Sequence, residues 1–254
     1  MCCIWSFSAY IFRVSDAKLG VMKNQLRLHY APDNASVIIR VALLEIGVPF
    51  ETVLVNRSIR QQDSEDYRAL NPSGLIPVLE TDQGALFETG AILLWLVDRF
   101  GKFGPSVDNP QRGEFLKWLF FLSNTVHSEM RQHFYASVYV GENQNAIDAL
   151  QKQRGLSIPE HLGKLETLIN GKPFLLGDEL SVLDIYLSFM MRWMGLYPPG
   201  KTNWYEISAT PQLANLAQRL ETRESYRVVA KAEGLGDTPL SNPNYPNPPE
   251  GSAT

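Results

Sequence analysis

Apolar positions fall into two regimes along this chain. Between Leu26 and Phe100, short apolar runs alternate with stretches at helical spacing; beyond Pro110 the spacing is helical throughout. "LRLHY" from Leu26 reads as a strand. Ala35 to Glu45, with Val37, Val41 and Leu44 on one face, reads as a helix closed by Gly47. "PFETVLV" is a second strand, followed by a short polar helix from Asp63 to Leu70. The run Leu75 to Leu79 predicts a third strand, and Asp82-Gln83-Gly84 a turn into a fourth at Ala85 to Phe87. A helix from Thr89 to Phe100 then ends at Gly101. The order is βαβ followed by ββα.

"GKFGPSVDNP", residues 101–110, has the Gly, Pro and Asp content of a linker. After it, Phe115, Trp118, Leu119, Leu122 and Val126 share one helical face. Ile147, Leu150, Leu162, Leu165 and Ile169 mark another long helix or a pair. Val182 to Met194 and Leu213 to Ala232 supply more. The expected division is an α/β domain at 23–100, the linker at 101–110, an all-helical domain at 111–234 and a Pro/Asn-rich tail at 235–254 that wraps the surface or is disordered. Residues 1–22 read as an extension outside the fold, and as a poor secretory signal because Arg13 follows the apolar run instead of preceding it.

Composition narrows the function classes. With 44% apolar residues and 20% charged ones, the chain can bury an ordinary core. A net charge of −4 argues against a nucleic-acid or anionic-membrane surface, which needs a basic patch. No run approaches the roughly 18 apolar residues of a spanning helix. The two cysteines, Cys2 and Cys3, are adjacent at the N-terminus, so the body of the fold has neither a disulfide framework nor a thiolate of its own. A reducing, cytoplasmic setting is expected.

Pro77 is the awkward residue of the third strand, since it has no N–H to give a ladder and belongs at strand edges or starts. Glu88-Thr89 is an acid and a hydroxyl placed at a helix start. Taken singly, these are an edge proline, an acid and a cap. Taken together, "NPSGLIPVL" followed by "ETGAI" resembles the glutathione transferase superfamily over the stretch from Leu26 to about Gly234. The resemblance implies a thioredoxin-like N-terminal domain, a C-terminal helical bundle, a homodimer and glutathione as co-substrate. It implies a cis Ile76–Pro77 bond, a state that costs an X-Pro unit only about 0.5–1 kcal/mol. The Ile76 N–H and C=O would then pair with the cysteinyl unit of glutathione as a strand pairs with an open edge. Thr89 would give its hydroxyl and N–H to the γ-glutamyl carboxylate at the helix N-terminus, and Glu88 would take the ammonium.

"LHYAPDNASVIIR" is similar to the bacterial beta-class Y-x-P-G-x-C-S, but Ala35 stands where the catalytic cysteine would be. Thiol-disulfide exchange through a mixed disulfide is therefore not expected. A thiol of pKa near 8.5 is mostly protonated at neutral pH, so a hydrogen-bond donor in this loop has to favour the thiolate. Ser36, directly after the missing cysteine, and Asn34 are the candidates, each with a bland alternative as a first-turn residue or an N-cap. Tyr30 reads as core. By the same resemblance Arg60 falls where a lysine meets the glycyl carboxylate, and His127 where a histidine faces the sulfur; a lone helical histidine otherwise reads as a surface residue. "SVLDI" reads as a capping box in which Ser181 caps the helix and Asp184 reaches back. The aromatic residues and methionines from Trp118 to Trp193 are core or the lining of an apolar second-substrate pocket. The implied activity is addition of glutathione thiolate to an electrophilic, largely apolar small molecule, and the alternative is a non-catalytic binding or regulatory protein on the same fold.

Overall fold

A computed structural model describes residues 25–253. The expected extension at 1–22, with both cysteines, lies outside the described residues. Four strands, β1 (Leu26–Tyr30), β2 (Phe50–Leu54), β3 (Val78–Thr81) and β4 (Gly84–Phe87), form one sheet in the order β2-β1-β3-β4. β1 pairs parallel with β2 and antiparallel with β3, and β3 antiparallel with β4; Leu28 lies between Thr52 and Leu79. The parallel pair requires a crossover, supplied by α1 (Ser36–Ile46), which ends at Gly47 with φ 79°.

α1 and α3 (Thr89–Phe100) cover one face of the sheet. Leu28 and Leu79 bury beneath them. The other face carries α2 (Glu65–Leu70), whose Tyr67 packs with Val55 and Val78. Pro77 is outside the ladder: the register begins at Val78, and Ile76–Pro77 is cis. The expectation of a strand from Leu75 is corrected accordingly. β3 is also an inner strand of the sheet, so the free backbone is the segment entering it, not an edge along its length.

The helical part contains α4 (Arg112–Phe120), a π-helical turn at Phe121–His127, α5 (Ser128–Phe134), α6 (Ala136–Val140), α7 (Gln144–Ile169), α8 (Val182–Leu196), α9 (Pro211–Glu221) and α10 (Glu224–Glu233). α7 is a single helix of 26 residues with Pro159 inside it. The run expected from Leu213 to Ala232 breaks at Thr222-Arg223 into α9 and α10. α8 is apolar nearly all round, as a central helix must be. Its start is the expected capping box: Asp184 accepts from the Ser181 N–H (2.8 Å) and hydroxyl (2.7 Å), and from the Leu175 N–H (2.8 Å). Burial still pushes the Asp184 carboxyl up to about 6.

The two parts share one hydrophobic core, because α1 packs on α3 and also on α8 and α10. The tail is ordered against both. Asn247 donates to the Gly234 carbonyl at 2.8 Å and Tyr245 to that of Leu196 at 2.9 Å. Further on, the Tyr30 hydroxyl donates to Glu250 at 2.5 Å, and the Arg57 guanidinium donates to the Ala253 carbonyl.

Candidate functional site

A cleft of about 1070 Å³ opens between the sheet domain and the helices. Three backbone devices shape its sheet side. First, Asn71 donates from its amide to the Leu75 carbonyl at 2.7 Å and accepts from the Ser73 N–H at 3.0 Å. Tyr67 donates to the same carbonyl at 2.9 Å. Gly74, at φ 63°, brings the chain so close to Gln62 that an added Cβ would lie 3.0 Å from its carbonyl oxygen. This is what the Asn-Pro-Ser-Gly stretch does: it holds Leu75 and delivers Ile76 to the cleft ahead of the ladder.

Second, Glu88 sits at φ 69°, ψ 115°, outside the regions a side-chain-bearing residue normally occupies. This turn points the start of α3 into the cleft. The first N–H bonded within the helix is that of Ile92, to the Glu88 carbonyl, so the N–H groups of Thr89, Gly90 and Ala91 precede the ladder. All three residues line the cleft, as does Glu88. The Thr89 side chain is buried, and no protein partner for its hydroxyl occurs among the described residues. Unpaired N–H groups at a helix start with an adjacent free hydroxyl make an anion site. Gly90 lets the opposite wall approach, since a Cβ there would meet that of Ser123 at 3.2 Å.

Third, the loop after β1 is held by a buried ion pair. Asp33 occupies the left-handed region at φ 49°, in the place of the glycine of Y-x-P-G. Its carboxylate receives a fork from Arg192, Nε to one oxygen at 2.8 Å and a terminal nitrogen to the other at 3.0 Å. The Trp193 indole adds a bond at 2.8 Å. Arg192 is fully buried and also donates to the carbonyls of Pro239 and Asn244, both at 2.9 Å. No local pattern foretells this pair, because its partners are 159 residues apart.

The loop candidates separate. Asn34 and Ala35 line the cleft, and the Asn34 Oδ1 accepts from the Ala35 N–H at 2.8 Å, which leaves Nδ2 without a protein partner among the described residues. Ser36 does not reach the cleft. It is fully buried, donating to the Ala31 carbonyl at 3.1 Å and accepting from the Ala31 N–H at 3.3 Å, so it ties α1 to the end of β1. The expectation of Ser36 as a donor to the sulfur is corrected on that geometry. Tyr30 is buried as expected, and burial together with Glu250 holds its hydroxyl well above the usual range.

Arg60 is the second correction. Two successive 3-10 turns, Arg57–Ile59 and Gln61–Asp63, meet at Arg60 in the left-handed region and throw its side chain outward. There it is 81% exposed and paired with Asp63 at 2.7 Å. Arg57 and Gln62 face the cleft instead, and Gln62 Oε1 is buried without a partner among the described residues. Sequence reading missed both, since only the turns decide which side chain points inward.

On the helical wall, His127 shares a 2.8 Å hydrogen bond between Nδ1 and the Tyr186 hydroxyl. Its ring also lies 6.0 Å from that of Trp193. Burial, helped by the nearby Arg131 charge, pushes the imidazole down to about 4, so it is neutral near pH 7. The π-helical turn that brings Ser123, Asn124 and His127 to the cleft is a feature often found at functional sites.

Comparison with known proteins agrees with this architecture. Residues 36–99 match the family described as glutathione S-transferase, N-terminal domain, and residues 128–226 match glutathione S-transferase, C-terminal domain. Together these spans exceed half of the chain, and the protein belongs to the glutathione S-transferase superfamily. It is 27% identical over 216 residues to glutathione S-transferase GST-4.5 of Xanthomonas campestris, covering 83% of this chain and 100% of that one. A solved sphingomonad glutathione S-transferase complexed with glutathione superposes with a TM-score of 0.69 at 29% identity, covering 83% and 100% of the two chains. A bacterial beta-class glutathione S-transferase from Sphingomonas chungbukensis gives 0.68 at 29% identity, covering 82% and 98%.

Proposed function

We propose that this protein binds glutathione along the sheet side of the cleft and presents its thiolate to an electrophile held against the helices. The single observation that carries the reading is the start of α3, where Glu88 and the unpartnered Thr89 hydroxyl adjoin free N–H groups beside Ile76. In this reading Thr89 and the first-turn N–H groups hold the γ-glutamyl carboxylate, and Glu88 takes its ammonium. The Ile76 backbone pairs with the cysteinyl unit. Arg57, not Arg60, meets the glycyl carboxylate, exchanging the Ala253 carbonyl for it. Asn34 Nδ2 is the donor to sulfur. An amide donor lowers the bound thiol's pKa without itself losing a proton. Neutral His127 lies on the opposite wall as a positioning group.

In a substitution the new S–C bond forms as the carbon–halogen bond breaks; halide leaves and the thiol proton goes to solvent. The aromatic wall suits largely apolar substrates. The protein works as a cytoplasmic homodimer in this reading, as its family resemblance suggests. A second reading, a glutathione-site protein without turnover, draws on Ala35, an inert methyl at the cleft where a cysteine thiol would act.

Calorimetric titration of Thr89→Ala with glutathione tests the assignment. Loss of a hydrogen bond to a charged group is worth about 1.5–3 kcal/mol, so affinity should fall about ten- to a hundredfold. An unchanged dissociation constant in the folded variant would show the γ-glutamyl site to be misplaced.

A further inference from the structure

The helical wall of the cleft carries an unmatched charge. Along the π-helical turn, α5 and α6, His127, Arg131, Phe134, Tyr135 and Val138 recur at helical spacing and all line the cleft. Among them Arg131 is half-buried, and no carboxylate of the described residues lies within ion-pair reach of it. The Tyr135 ring lies against it, with its centroid 5.5 Å from the guanidinium carbon. Arg57, the other arginine lining the cleft, donates to the Ala253 carbonyl, and the fully buried Arg192 behind it is neutralised by Asp33. A partly desolvated cation among rings is costly unless an anion joins it.

That anion does not come from the γ-glutamyl end of glutathione. Ser123 marks the point where the helical wall touches Gly90 at the start of α3. Arg131 is eight residues further on, about 12 Å along a helix axis at ~1.5 Å per residue. Phe134, Tyr135 and Tyr197 form the aromatic end of the cleft, with the Tyr135 ring against the guanidinium and the Phe134 ring 6.2 Å from that of Tyr197. The guanidinium is thus placed at the aromatic end of the cleft, and Arg is suited to gripping a carboxylate with two parallel N–H bonds.

Building on the transferase reading, we propose that Arg131 makes this cleft selective for aromatic electrophiles that carry a carboxylate, with the ring against Phe134 and Tyr197 and the carboxylate on the guanidinium. The probes are 4-chloro-3-nitrobenzoate and its neutral isostere 4-chloro-3-nitrobenzamide, each corrected for its uncatalysed reaction with glutathione. In both, the S–C bond forms, the C–Cl bond breaks, chloride leaves and the thiol proton passes to solvent. The ratio of kcat/KM, acid over amide, should fall about tenfold or more in Arg131→Gln, consistent with loss of a charge-assisted bond. Arg131→Lys should keep part of the ratio. A ratio equal in wild type and Arg131→Gln overturns the proposal. So does a glutathione KM that rises as far as the ratio falls, because Arg131 would then serve glutathione. If the wild type turns over neither compound, the transferase reading fails and the selectivity is read by binding alone: quenching of tryptophan fluorescence should show 3-nitrobenzoate binding more tightly than 3-nitrobenzamide, and equal affinities would overturn it.

Discussion

Asp33→Asn removes one charge from the Asp33–Arg192 pair while keeping size and shape. The guanidinium it leaves behind is fully buried and uncompensated, since the Pro239 and Asn244 carbonyls and the one remaining side-chain oxygen are neutral acceptors, and the new amide turns a donor toward it. Breaking a buried pair from one side costs about 3–5 kcal/mol. Against that stands the left-handed backbone of Asp33, a strain of about 1–3 kcal/mol that Asp33→Gly would relieve. The charge term is the larger, so Asp33→Gly should also destabilise, though by less. Asp33→Asn/Arg192→Met removes both charges and should recover much of the loss, giving a coupling of at least about 2 kcal/mol. Urea unfolding followed by fluorescence and circular dichroism together, to check two-state behaviour, measures each value. At about 2–4 °C per kcal/mol for a chain of this size, Asp33→Asn alone should lower Tm by roughly 6–20 °C. A loss below about 1 kcal/mol, or strictly additive single substitutions, would refute the view that this pair locks the loop between the two parts.

Two further outcomes follow from the cleft. His127, held down to about 4 from an ordinary 6.5, binds no proton in the folded protein where the unfolded chain does, so stability should be full above pH 6.5 and decline as pH falls toward 4. Its ring-proton resonance should titrate with a midpoint well below 6, and an ordinary midpoint would contradict the burial described here. Asn34→Ala should raise the midpoint at which bound glutathione gains thiolate absorbance, with turnover partly restored at high pH, whereas Ser36→Ala should leave the midpoint where it was. The reverse pattern would reinstate Ser36 as the sulfur's donor.

Local periodicity and turn chemistry made most of the fold readable. The strand at Leu26, Val37 and Val41 at helical spacing, Gly47 and Gly101 as helix ends, and the Ser181–Asp184 box all act within a few residues of themselves. Pro77 was misplaced inside a strand because an apolar run alone does not say where a ladder starts. At the site, Ile76, Glu88 and Thr89 stood out because short motifs carry them to the cleft on their own backbone. Ser36 and Arg60 misled for the opposite reason. The side to which each points depends on a bond to Ala31 and on a left-handed junction of two turns. Arg131 and the Asp33–Arg192 pair left no trace at all, since their meaning comes from neighbours assembled only by the finished fold.

The bond from Tyr30 to Glu250 spans 220 residues. A ribosome adding about 5–20 residues per second delivers the second partner roughly 10–45 s after the first. For that interval Tyr30 has no Glu250 to meet, and Arg57 has no Ala253 carbonyl to hold. The nascent sheet domain therefore waits with its cleft-facing side uncovered, open to ligand or chaperone, and maturation of this cleft is a late event of biosynthesis even though its motifs are made first.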